Sequence, residues 1–199
     1  MSHSTVYRPL PQTNVAAAGC YVLEAFNPPK VDVDSAAVLA MTDLARVPSA
    51  TITPDAALEQ ANQSMILRGV RLLLVVGEGR RVAGVITSAD VLGEKPVLVA
   101  QGRRIKRNDL CVSDLMVPVD AMEVLNIEDV RKASVGNIVA TLKAAGRAHA
   151  LVVGQADDGK QSLLGIFSAS QIARQLGVQI QTHEMARTFA EIEAVIARV

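Results

Sequence analysis

Aromatic side chains are nearly missing from this chain: no tryptophan, two tyrosines and three phenylalanines, 3% of 199 residues. Half of the residues are nonetheless hydrophobic, so the core must be aliphatic, packed from Val, Leu, Ile, Ala and Met. Net charge is missing too. Twenty Lys and Arg offset twenty Asp and Glu, which leaves no global field to draw the protein to nucleic acid or to an anionic membrane. Cysteine is scarce: Cys20 and Cys111 stand far apart in no metal-like spacing, and read as small buried hydrophobes in a reducing compartment. No apolar run approaches the roughly 18 residues that would span a bilayer. The stretch Met1 to Pro9 lacks the apolar core of a signal peptide. A soluble, cytoplasmic protein is expected.

The motifs of catalysis are absent as well. The three histidines, His3, His149 and His183, form no metal-ligand spacing with a Cys, an Asp or one another. There is no P-loop, no Gly-x-Gly-x-x-Gly after a strand and no Gly-x-Ser-x-Gly elbow. No nucleophile or acid/base pair can be assembled. The sequence points away from an enzyme and from any required cofactor or metal.

What is present is organised around Gly69 to Asp90. Two β-branched and aliphatic runs, Leu72 to Val76 and Val82 to Thr87, flank a polar Gly77 to Arg81 turn and predict a buried hairpin. Upstream, Pro9, Pro11, Pro28 and Pro29 break any long element, while Gly19 to Phe26 reads as one strand. Asp34 predicts a helix through Ala45, with Val38, Met41, Leu44 and Ala45 on one face. Thr53-Pro54 predicts the start of a second helix. That helix carries Leu58, Ala61 and Met65 on one face and stops at Gly69.

Shifted by 77 positions, Leu58, Ala61, Met65 and Gly69 fall on Val135, Ile138, Leu142 and Gly146, and Val75-Val76 on Val152-Val153. Beyond the turn the shift becomes 81, and Gly84-Val85-Ile86-Thr87 falls on Gly165-Ile166-Phe167-Ser168. Upstream, Val47-Pro48 aligns with Val117-Pro118 at a shift of 70. Insertions fall in loops while helix faces and strands keep register, the mark of an internal duplication. Each unit of roughly 60 residues is marginal alone. The expected fold is α/β (α+β), duplicated β-α-β-β-α units packed as one pseudo-twofold module. The expected divisions are an extension over 1–45, a first repeat with its connecting loop over 46–110, a second over 111–180 and a tail over 181–199. Arg103 to Arg107 reads as a solvated connecting loop, with a phosphate or acidic partner as the alternative. In the tail, Met185, Phe189, Ile192, Ile196 and Val199 form a seam that packs either on the module or across a dimer.

The Thr87-Ser88-Ala89-Asp90 element carries the candidate chemistry. A hydroxyl at a strand end and a carboxylate three residues on can face one cleft, where the carboxylate accepts ribose hydroxyls and backbone N–H groups receive a phosphate. Equally, Thr87 and Ser88 can simply cap a helix with Asp90 in its first turn.

The duplicated unit, with Ser113-Asp114-Leu115-Met116 and Gly84-Val85-Ile86-Thr87-Ser88-Ala89-Asp90, resembles a pair of cystathionine-β-synthase (CBS) domains from about Arg46 to Val178. The resemblance implies a regulatory, non-catalytic module, usually a homodimer, that binds AMP, ADP, ATP, S-adenosylmethionine or a related adenosine ligand. By it, Thr87 and Asp90 match the hydroxyl and the ribose-binding carboxylate. Ser168 keeps the hydroxyl in the second copy, where Gln171 replaces the carboxylate. Arg71 fills a phosphate-facing position, and His149 lies close to its counterpart. His149 also reads as a hydrogen-bonded, partly buried histidine. A nucleotide sensor and a dimeric scaffold with a vestigial pocket are the two functions that follow.

Overall fold

The computed structural model describes residues 10–18, 20, 28–156, 159–178 and 185–196. The strand expected over Gly19 to Phe26 lies outside them apart from Cys20, as do His3, His183 and Val199. The first repeat runs β2 (Thr51–Ile52), α1 (Leu58–Arg68), β3 (Leu72–Val76), β4 (Val82–Thr87) and α2 (Ser88–Leu92). The second runs β6 (Val124–Asn126), α5 (Ile127–Val130), α6 (Val135–Ala144), β7 (His149–Gln155), β8 (Gln161–Ser168) and α7 (Ala169–Gln175). Before β2 lies β1 (Thr42–Asp43). Between the repeats lie α3 (Lys95–Arg103), α4 (Val112–Leu115) and β5 (Val117–Pro118), and α8 (Met185–Ile196) closes the order.

Each hairpin forms as its pattern predicts. In β3, Leu73 and Val75 are buried against helices while Leu72 and Leu74 face the other sheet. Successive side chains point to opposite faces, so an unbroken aliphatic run suits a strand covered on both sides. Helix α1 ends at Gly69 with φ of 63°, a left-handed stop that glycine adopts without a Cβ penalty. The pairing slips at Val75/Val76 in one hairpin and at Val152/Val153 in the other. The duplication therefore reaches even the irregularities.

The two sheets have orders β2-β3-β4-β5 and β1-β8-β7-β6, and their composition holds the main surprise. Strand β1, which leads into the first repeat, pairs antiparallel with β8 of the second; β5, which leads into the second, pairs antiparallel with β4 of the first. Each lead-in thus completes the other repeat's sheet. The exchange continues outward through bridges from Ala57 to Cys111 and from Ala36 to Ser134. A glycine receives each exchanged strand. A Cβ on Gly84 would overlap the Val117 carbonyl oxygen, and one on Gly165 would overlap the Met41 sulfur.

Several expectations are corrected here. The counterpart of Val117-Pro118 is Thr42-Asp43, not Val47-Pro48, because Pro118 lies opposite Gly84 and Asp43 opposite Gly165. The helix expected from Asp34 to Ala45 is a single 3-10 turn, Ala37–Ala40. Pairing with β8 takes Thr42 and Asp43 out of any helix. Asp32, not Asp34, organises the turn before it, with Oδ1 accepting from the Asp34 and Ser35 amides at 3.0 and 2.7 Å. Helix α1 begins at Leu58 rather than at Pro54; Gln60 Oε1 accepts from the Ala57 amide at 3.0 Å. The stretch read as a connecting loop contains α3, and two of its basic residues are engaged. Arg103 pairs with Asp114, and Arg107 donates to the Val91 carbonyl at 3.1 Å.

Of the tail seam, the two residues whose side chains are described, Phe189 and Ile192, are buried in the core of the second repeat. A Lys143–Glu193 ion pair sits beside them. The tail therefore packs on its own chain, with each buried apolar side chain contributing about 1.5–3 kcal/mol. Leu72, Leu74, Val85 and Leu151 form the layer between the sheets. The candidate site lies at the rim of that layer.

Candidate functional site

Antiparallel pairing sets Leu72 opposite Thr87 and His149 opposite Ser168, so the start of one strand meets the end of the next in each repeat. In the first repeat, Arg71 precedes β3 and Thr87 ends β4. Thr87 caps α2: its Oγ1 accepts from the Asp90 amide at 3.4 Å, while Asp90 Oδ2 accepts from Thr87 N at 2.9 Å and from Thr87 Oγ1 at 2.7 Å. The other carboxylate oxygen, Oδ1, takes Lys95 Nζ at 3.0 Å. Lys95 opens α3 and also donates to the Leu115 carbonyl. Asp90 is therefore both a capping residue and the anchor of a cation from outside the repeat. Its side chain keeps 17% exposure.

A cavity of about 430 Å³ opens here between the repeats. Thr87, Asp90 and Arg71 line it from the first repeat, and His149 lines it from the second. Leu72, Val85, Val117, Met122 and Leu151 make its walls largely apolar. Glu123 and Arg147 stand at its edge as an ion pair at 2.9 Å. Burial, and after it the positive charge of Arg71, push the His149 imidazole from 6.5 down to about 4, because both disfavour a second cation. At neutral pH the ring is uncharged and can both donate and accept.

Of the six residues singled out from sequence, four converge on this cavity and two do not. Ser168 Oγ lies 3.0 Å from Ser170 Oγ. Gln171 Oε1 accepts from Thr42 Oγ1 at 3.0 Å, so the exchanged strand β1 already holds the amide that replaces the carboxylate. Sequence reasoning missed Lys95, whose signal was Pro96 just inside a helix start. It also missed Thr42, which carried no signal short of the tertiary pairing. Among the described residues no group of three or more His, Cys, Asp or Glu is placed to hold a metal ion. None of their helices is long and apolar enough to cross a membrane.

Residues 40–96 match the family model of the CBS domain. The second repeat reproduces that order, its bulge and its exchanged lead-in. The first repeat thus matches the CBS domain in sequence, and the second shares its fold. No curated protein matches it in sequence. Among solved structures, a conserved protein from Pyrococcus horikoshii is similar at 19% identity and a TM-score of 0.54, over 76% of this chain and 99% of that one. CBSX2 of Arabidopsis thaliana, solved in complex with AMP, shows 20% identity and a TM-score of 0.48 over 70% and 93%. The CBS domain pair of protein MJ0100, solved with 5′-methylthioadenosine and S-adenosyl-L-methionine, shows 16% identity and a TM-score of 0.49 over 73% and 98%.

Proposed function

We propose that this chain is a regulatory, non-catalytic module that binds one adenosine-containing ligand in the cavity between its repeats. The observation that carries this reading is the convergence of Thr87, Asp90, Arg71 and His149 on one apolar-walled cavity of about 430 Å³, within the size range of small-molecule sites. A purine is suited to the apolar walls. The Asp90 carboxylate has one lone-pair position left on Oδ1 for a ribose hydroxyl beside Lys95. Arg71 suits a phosphate end and would repel a sulfonium, while the neutral His149 is compatible with either.

A second reading, a dimeric scaffold with a vestigial pocket, draws on two other observations. Lys95 already occupies part of the Asp90 carboxylate, and Gln171 is committed to Thr42.

Calorimetry with AMP, ADP, ATP and S-adenosylmethionine tests the choice. A ligand at 100 times its dissociation constant adds about 2.7 kcal/mol to stability, readable in a parallel thermal-shift panel. Binding of one equivalent supports the sensor, whereas silence across the panel supports the scaffold. Light scattering decides the expected homodimer, for which a mass of about 21 kDa at micromolar concentration would be contrary.

A further inference from the structure

The layer between the sheets opens at both ends, less widely at the strand starts than at the hairpin turns. There the turn after β3 and the turn after β7 flank a cleft of about 1270 Å³, far from Thr87 and Asp90 at the other end of β4. Its floor is apolar: Leu44, Val76, Val153 and Leu163 are only half-buried, although residues on the inner faces of stacked sheets are ordinarily dry. Its rim is basic. Arg80, Arg81 and Lys160 line it, and none of its described lining residues is acidic; Asp157 and Asp158, beside Lys160 in sequence, are outside the described residues.

The two arginines are among the cations that no described carboxylate holds. Arg46, Lys95, Arg103, Arg131, Lys143 and Arg147 are each paired with a carboxylate. Neither Arg80 nor Arg81 has an ion-pair partner among the described residues. Arg80 also adopts φ of 62°, a backbone conformation unfavourable to residues with a side chain, in a turn where Gly79 already supplies one left-handed position. An apolar trough with guanidinium groups at its lip that no described carboxylate holds complements one kind of molecule, an apolar body with an anionic head.

We infer that this cleft is a second binding site, for a small amphiphilic anion whose acyl or aromatic body lies on the floor and whose carboxylate or phosphate head meets Arg80 and Arg81. It shares only Met122 with the adenosine cavity among the described lining residues and does not depend on that reading. The test uses the full chain and a fluorescent probe of this chemistry, anilinonaphthalene sulfonate, with decanoate, decanol and AMP as competitors. Decanoate should displace the probe, decanol should do so at least tenfold less well, and AMP should not displace it. The double variant Arg80→Gly, Arg81→Ala, checked for unchanged thermal unfolding, should weaken probe binding at least tenfold. If that variant fails to fold, the salt dependence of decanoate binding to the wild type replaces it, with weakening by raised ionic strength expected. Probe binding that the variant leaves intact would overturn the site and place the probe elsewhere, for instance on exposed Ile66 and Leu67 of α1. So would equal displacement by decanol, displacement by AMP, salt-independent decanoate binding, or no binding at all.

Discussion

Asp90 and Gln171 occupy the same place in the two repeats, three residues after a hydroxyl that ends a strand, yet their surroundings have diverged. Around Asp90 the exchanged strand contributes Val117, which lines a cavity and makes no polar claim on the carboxylate. Around Gln171 it contributes Thr42, whose hydroxyl donates to the amide. The same exchange therefore leaves Asp90 beside a cavity and ties Gln171 to the exchanged strand. A duplicated fold preserves its architecture through glycines and apolar strands, while one polar residue on a two-residue strand sets what the equivalent side chain bonds to.

The largest expected effect separates the two exchanged strands themselves. Gly84→Ala would drive a methyl into the Val117 backbone, which cannot yield, and should cost about 3 kcal/mol. Gly165→Ala meets only the flexible Met41 thioether and should cost about 1 kcal/mol. Urea unfolding of the two variants makes the comparison. Equal costs would mean the two exchanges are energetically alike despite their different partners.

Next in size is a pH effect confined to the repeat interface. The folded-state pKa of His149 lies below its unfolded value, at about 4 against 6.5. Its neutral form is thus the one compatible with the fold, and the associated stability is fully present above pH 6.5. It is lost as pH falls from there toward 4, since the unfolded chain takes up the proton first. The loss should be about 2 kcal/mol after allowance for partial exposure. Unfolding curves at pH 7 and pH 4.5 would show it, and His149→Gln should remove most of the difference.

Asp90→Asn comes third. It keeps the shape but removes the charge that holds Lys95 and strengthens a ribose contact. Adenosine-ligand affinity should fall at least tenfold by calorimetry, about 1.4 kcal/mol. Stability should also fall by about 1 kcal/mol, because the carboxylate is a cap as well as a ligand group. From sequence alone Asp90 would be expected at an open cleft with little role in stability. The capping geometry changes that expectation. The smallest effect belongs to Gln171→Asp, for which binding should stay at one equivalent per chain while Thr42 still covers that position. A second equivalent would show that the amide alone closes the second site.

The residues that sequence reasoning placed well were those with periodic neighbours. The buried face Leu58, Ala61 and Met65, the stop at Gly69 and the strands Leu72–Val76 and Val82–Thr87 follow from local pattern, and the repeat follows from matching that pattern to itself. Thr87, Asp90, Arg71 and His149 come together because the duplication fixes their register. The exchanged strands had no such signal. Two residues cannot show a period, and what makes Thr42–Asp43 a strand is β8, more than a hundred residues away. Lys95 and α3 were missed for another reason: its amphipathic face is short, with only Pro96 and Ala100 buried, so the stretch resembled a polar linker.

The exchanged strands also impose an order in time. A chain leaves the ribosome amino terminus first, at roughly 5–20 residues per second. When Val117–Pro118 emerges, its partner β4 has already been made, and the sheet of the first repeat can close at once. Thr42–Asp43 must wait for Ile166 and Gly165, roughly ten seconds of synthesis at that rate. Throughout that interval Ala37, Ala40 and Met41, destined for the core of the second repeat, belong to a half-made protein with nothing to pack against. Strand β8 is what completes β1, so the nascent chain stays dependent on shielding by other means until residues 161–168 have been made.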